Sequence, residues 1–318
     1  MNRRIFSCLV ATCVVLSAFC QLLAQSPPRS TSAPANLQAL VDQAANTTLT
    51  RFSDQNLKRE DLAITLIDLR DAGRPLTASF RGNERIYPAS VVKLFYLVAA
   101  LKWLEDKKIE DTPELRRAIK DMIVDSYNEA THYVLDVITH TTSGYELPRK
   151  EMAEWQHKRN AVNRYFSSLG YTNINVNQKT HCEDAYGREK VSRGPDGENR
   201  NKLTTDATAR LMMEVATSKA VTQARSLQMM ELLKRDPTRK TSDADSQDTG
   251  FSAPALPPGT RYWAKAGWTS TTRHDAAYIE LPTGEKFVLV TFTERHSNDR
   301  DIIPTVARVI VDGLKNVK

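Results

Sequence analysis

The chain has 318 residues, with 44 Lys and Arg against 38 Asp and Glu and a net charge of +6. The charges are interspersed, which excludes the basic stripe of a nucleic-acid-binding protein, and a hydrophobic content of 41% excludes a disordered or collagen-like chain. This length suffices for one large core or two lobes that fold together.

The N-terminus reads as a secretory signal. Arg3 and Arg4 precede an apolar run from Leu9 to Phe19, too short to span a bilayer, and Ala24 is followed by Gln25-Ser26-Pro27-Pro28. The pattern predicts a signal peptide over 1–24, a disordered Ser/Pro-rich tether over 25–36, and a folded part over 37–318 that is secreted to a periplasmic or extracellular location. Loss of Arg3 and Arg4 leaves 42 basic residues against 38 acidic, a mild charge near +4 that suits an anionic substrate. Cys8, Cys13 and Cys20 leave with the signal, so Cys182 has no partner for an internal disulfide and is expected to be buried and inert.

Leu37, Leu40, Val41, Ala44 and Ala45 carry helical spacing. Ile64–Leu69 and Leu76–Arg81 read as a strand hairpin. Helices are predicted from Ser90, over 113–124 with Pro113 in the first turn, over 128–139, over 151–169 ended by Gly170, from an N-cap near Thr204 to Ala216, and over 223–234. The polar, Pro-containing run 239–258 reads as an exposed loop. Strands follow at 262–267, 276–281 and 287–293, with a tight turn at Pro282-Thr283-Gly284-Glu285, and Ile302–Leu314 is a closing amphipathic helix. Strands at both ends with helices between predict an α+β fold. Residues 37–89 and 255–318 form an antiparallel sheet with the terminal helices on one face, and 90–254 form a helical lobe.

Ser90-Val91-Val92-Lys93 opens the apolar run Leu94–Leu101. On a helix, Ser90 and Lys93 share a face. The helix N-terminus favours an anion near the serine oxygen, and desolvation favours a neutral amine, which together can activate a serine without a histidine. Alone the pattern is weak, since a capped helix start with a solvated lysine explains it equally well. Ser126-Tyr127-Asn128 is the only Ser-x-Asn, however, and Lys265-Ala266-Gly267 the only Lys-x-Gly. Bland readings of these two are a loop with a cap, and a solvated strand lysine beside a bulge.

In order and spacing the three match the S-x-x-K, S-x-N and K-T-G set of penicillin-recognising serine enzymes. With the hairpin, the approach Asn83–Ala89 and Leu256-Pro257-Pro258-Gly259-Thr260, the chain from about Leu37 onward resembles class A β-lactamases. The resemblance implies a cleft between two lobes and acyl transfer with Ser90 as nucleophile and Lys93 as its base. Ser126 would relay the proton, and Asn128 would orient Lys93 and meet the substrate's side amide. Lys265 would stay charged and hold a carboxylate, and the N–H groups of Ser90 and Trp268 would form the oxyanion hole. Gly267, Trp268 and Arg273 would line the substrate site, with Arg273 either holding the carboxylate or standing as a plain surface arginine; His274 reads as structural.

The departures bear on turnover. The Glu-x-x-Leu-Asn pattern that supplies the deacylating base in that family is absent. The expected position falls near Thr180, and Glu183 is the acid that could substitute. Tyr127 stands in place of an aspartate and Trp268 in place of a small residue. The expected function is secreted β-lactamase-type hydrolysis of a cyclic amide. The alternatives are a D,D-peptidase- or esterase-like enzyme slow to release its acyl group, and a binding protein that has lost turnover. The expected partner is a small-molecule β-lactam or a peptidoglycan-like peptide, and the protein is expected to be a monomer without nucleic acid or a transmembrane segment. No His-x-His-x-Asp or His-Glu-x-x-His is present, and neither a metal nor another cofactor is expected.

Overall fold

The computed structural model describes residues 35–180 and 184–317. The expected signal peptide, nearly all of the tether, Cys182 and Glu183 lie outside them. The fold is α+β. Six antiparallel strands stand in the order β2-β1-β6-β5-β4-β3: β1 (Leu62–Asp68), β2 (Leu76–Phe80), β3 (Lys234–Arg235), β4 (Arg261–Trp268), β5 (Thr272–Glu280) and β6 (Lys286–Glu294). The two ends of the chain therefore meet through β1 and β6, with Ile64 opposite Thr291.

Alternation along the strands divides the interior into two cores. Leu62, Ile64 and Leu66 of β1 and Ala277 and Ile279 of β5 pack with α1 (Ala35–Arg51) and α10 (Ile302–Leu314). On the other face, Ala63, Ile67, Ala276, Val288 and Val290 pack against the helical block, centred on α2 (Val92–Glu105). α2 is buried around most of its circumference, as its uninterrupted apolar run demands. α3 (Pro113–Val124) starts on a Thr112 cap with Pro113 at its first position, and α4 (Asn128–Thr139) follows.

The expected single helix over 151–169 is two, α5 (Arg149–Arg159) and α6 (Ala161–Ser168). Asn160 separates them, and its side-chain oxygen accepts from Asn163 (2.6 Å) and Asn177 (3.3 Å), a local alternative to helix continuation. A short helix α7 (Gly187–Arg193), not predicted, precedes α8 (Thr205–Ala216) and α9 (Gln223–Leu233). The run 239–258, expected to be an exposed loop, carries the buried Gln247, Phe251 and Ser252. Among the described residues no helix is long and apolar enough to cross a membrane.

Candidate active site

Ser90 sits in a single 3₁₀ turn, Ala89–Val91, that leads into α2. Ala89 before it has φ 46°, a left-handed conformation costly for a residue with a Cβ. One helical turn on, Lys93 is buried and its Nζ donates to Asn128 Oδ1 (2.9 Å), the Ser126 carbonyl (2.5 Å) and Ser126 Oγ (3.3 Å). Ser126 is itself left-handed at φ 61°, in the turn between α3 and α4.

Lys265 comes from the sheet. Its Nζ donates to Ser126 Oγ (2.9 Å), Gln247 Oε1 (2.6 Å) and the Ala266 carbonyl (2.8 Å). The Ser126 hydroxyl is thus flanked by two lysines from different layers of the molecule. Complete burial, with Lys93 and Arg235 as nearby cations, pushes the Lys265 pKa well below its ordinary value, partly opposed by Asp275. This is the lysine expected from the sequence to stay charged.

Gly267 explains how the sheet comes so close to Ser90. A Cβ built on it lies 2.8 Å from both Pro88 O and Ser90 N and 2.9 Å from Val91 N. Trp268, the next residue, points to the other strand face, where its ring meets Phe251 at 5.7 Å. Its bulk therefore lies away from Ser90, at the rim of a cavity of about 640 Å³ that Tyr127 and Gln247 also line.

Arg273 does not join this group. Its backbone pairs with Trp268, which puts its side chain on the face opposite Lys265. There it donates to Asp245 Oδ1 (2.7 Å) and lies 4.0 Å from the centroid of the Phe251 ring. The expectation that Arg273 holds the substrate carboxylate fails on this geometry. His274 is on the Lys265 face and directly opposite Gly267. Its Nδ1 accepts from the Thr293 N–H (3.1 Å), so Nε2 carries the proton and donates to the Tyr87 carbonyl (2.9 Å). Burial lowers its pKa to about 4, which leaves it neutral and structural, as expected.

The segment 174–180 packs against α2 and α4. Asn201 Oδ1 accepts from the N–H groups of Asn177 (3.0 Å) and Gln178 (2.9 Å), and the buried Tyr96 hydroxyl on α2 donates to the Gln178 carbonyl (2.7 Å). Lys179 Nζ reaches Asp136 (2.5 Å) on α4, within a largely buried group completed by Arg159 and Glu189 (2.8 Å apart). Thr180 then donates from Oγ1 to Asn128 Oδ1 (2.8 Å), while its carbonyl is 2.6 Å from His132 Nε2. Thr180, near which the resemblance expects a glutamate, is therefore at the site and brings a hydroxyl to it.

Two residues at the site have no signal in the sequence. Arg235, buried, donates from Nε to the Ala264 carbonyl (3.0 Å) and from its terminal nitrogens to the Ile123 (2.8 Å) and Val124 (3.4 Å) carbonyls. Gln247 bridges the same two strips of backbone. Both act through contacts more than 100 residues apart in sequence on one side.

Residues 45–314 match the model of a family described as the beta-lactamase enzyme family. No curated protein matches the chain. Among solved structures, a beta-lactamase from Sphaerobacter thermophilus DSM 20745 has TM-score 0.61 at 17% identity, covering 88% of this chain and 98% of that one. PBP-A has TM-score 0.60 at 17% identity, covering 88% and 97%. A beta-lactamase from Chitinophaga pinensis DSM 2588 has TM-score 0.61 at 16% identity, covering 88% and 100%. At these identities the structural likeness establishes the shared fold, and the family match over most of the chain establishes membership: the chain belongs to the beta-lactamase enzyme family.

Proposed function

We propose that the protein is an exported, monomeric serine hydrolase that forms an acyl-enzyme on Ser90, with β-lactams as its substrate class. The observation that carries this reading is the junction at Ser126, whose hydroxyl lies 2.9 Å from Lys265 Nζ and 3.3 Å from Lys93 Nζ. In the proposed reaction Ser90 Oγ attacks the amide carbonyl and gives its proton to Lys93. Ser126 gives its hydroxyl proton to the leaving nitrogen as the C–N bond breaks and recovers one from the protonated Lys93, 3.3 Å away, while Lys265 stays charged and supports Ser126 from the other side. The N–H groups of Ser90 and Trp268 take the developing oxyanion, an arrangement supported by the close approach of Gly267 to Ser90. Asn128 orients Lys93 and meets the side amide of the substrate. Lys265 meets the substrate carboxylate, whose arrival restores the charge that burial disfavours.

A second reading keeps acylation but slows release, as in a D,D-peptidase-like enzyme. It is favoured by the hydroxyl of Thr180 near the place expected for a glutamate and by the missing Glu-x-x-Leu-Asn pattern. A mutant of PBP-A, which shares this fold, was solved as an acyl-enzyme complex with penicillin-G. Incubation with a fluorescent penicillin separates the readings: fast gain and fast loss of label marks a lactamase, and gain without loss marks the peptidase-like enzyme. No gain removes both and leaves a binding protein. Glu183→Gln assigns the water-activating base: a trapped acyl group places it on Glu183, and unchanged release excludes it.

A further inference from the structure

Lys265 is held by a side chain that belongs to none of the three motifs. Gln247 is buried, and its amide is used at both ends. Oε1 accepts from Lys265 Nζ (2.6 Å) and from the Ala266 N–H (3.1 Å), both on β4. Nε2 donates to the Val124 (2.9 Å) and Ile123 (3.3 Å) carbonyls at the end of α3, immediately before Asp125 and Ser126. The amide therefore spans from the strand that carries Lys265 to the backbone that carries Ser126.

The loop that delivers Gln247 is fixed from the far side of the sheet. Asp245 accepts from Arg273 (2.7 Å) and from two nitrogens of Arg300 (3.0 and 3.1 Å). This is what Arg273 does in place of the role expected for it. A carboxylate at 247 would turn an oxygen toward two backbone carbonyls, and a cation would face Lys265. An amide is the side chain that satisfies both neighbours without adding charge.

We infer that Gln247 is a positioning residue for Lys265: it fixes Nζ against Ser126 Oγ, sets the spacing between β4 and the Ser126 turn, and by being neutral leaves the lysine's counter-charge to the substrate's carboxylate. This rests on the reading that Lys265 meets a carboxylate. The charged and titratable groups that act on Lys265 from its surroundings are Lys93 on α2, Arg235 on β3 and Asp275 on β5. None of the three supplies an anion in hydrogen-bond contact with Nζ.

The test uses Gln247→Glu and Gln247→Leu in the full mature chain, with two acyl donors that share an acyl group and differ by a carboxylate on the leaving group. KM for the carboxylate donor should rise as pH rises through the titration of Lys265. Gln247→Glu should move that rise to higher pH and Gln247→Leu to lower pH, each by about one pH unit, a tenfold change in KM at a fixed pH on the limb. The donor without a carboxylate should show no such limb in any variant. NMR titration of isotope-labelled lysine Nζ should show the same opposite shifts, and it reads the inference even if neither donor acylates Ser90. Leu alone decides the case if the Glu variant does not fold. Shifts in the same direction, or an unmoved limb with an equal loss for both donors and a lower melting temperature, would overturn the inference and leave Gln247 as packing.

Discussion

Replacing Gly267 with alanine puts a methyl group where the structure has backbone. The added Cβ meets Pro88 O and Ser90 N at 2.8 Å, and ordinary contact begins at 3.4 Å, so β4 and the nucleophile turn must separate by about 0.6 Å. None of the opposing atoms belongs to a flexible side chain, so the separation cannot be absorbed by a rotamer change. Overpacking of this kind costs about 1–3 kcal/mol of stability. The catalytic cost should be larger in proportion, because the displaced atoms include one of the two proposed oxyanion donors. Loss of one such donor costs roughly 10²–10³-fold, and a misplacement near 1 Å about 10²-fold. The assay is the second-order rate of acylation by a fluorescent penicillin, read beside the thermal melting curve of the same protein. Gly267→Ala should fold, melt somewhat lower, and acylate about 10²-fold more slowly. A folded variant that acylates within about threefold of wild type would show that the contact between β4 and Ser90 does not set the reaction geometry.

His274 should make the protein acid-sensitive. Its folded pKa, about 4, lies below the ordinary 6.5, so the unfolded chain binds a proton in that window and the folded chain does not. Stability from this group is complete above pH 6.5 and is lost as pH falls toward 4, by roughly 3 kcal/mol in all. Urea unfolding at several pH values should show this slope in wild type, and His274→Gln should flatten it. Lys93→Arg should cost acylation of every donor by about 10²–10⁴-fold, because arginine cannot accept the serine proton. Lys265→Arg should be milder and should remove the pH dependence of KM for carboxylate donors; equal losses for both would contradict the division of roles. Thr180→Glu, which places a carboxylate beside Asn128, should speed release of the acyl group, followed as loss of fluorescent label.

Much of this fold was legible because the segments carry their own signals. The helix over 113–124 has its first-turn proline written into it, and the apolar run after Ser90 is long enough to be read as a buried helix. The three motifs pointed to Ser90, Lys93, Ser126, Asn128 and Lys265, and the structure joins the last four by hydrogen bonds, with Ser90 one turn before Lys93 and its backbone close to Gly267. Arg273 shows where such reading ends. The sequence suggested a strand only from Ala276, so no register was set for Arg273. The strand starts at Thr272, and the register of the β4–β5 hairpin then sends Arg273 to the far face. Gln247 and Arg235 were illegible for a different reason. Each owes its burial to backbone carbonyls at 123 and 124 that local composition says nothing about, and a polar run with prolines looks the same whether or not one amide in it reaches the core.

The account stands on Ser90 as the nucleophile, and one measurement addresses it directly. Intact-mass spectrometry of the protein after exposure to a β-lactam should show a single covalent adduct equal to the whole β-lactam, as expected when a ring amide opens and the leaving nitrogen stays attached. Peptide mapping should place it on Ser90, and the folded Ser90→Ala protein should gain no mass. An adduct of the same mass on Ser90→Ala, or its location on any other residue of the wild-type chain, would contradict the assignment of the site.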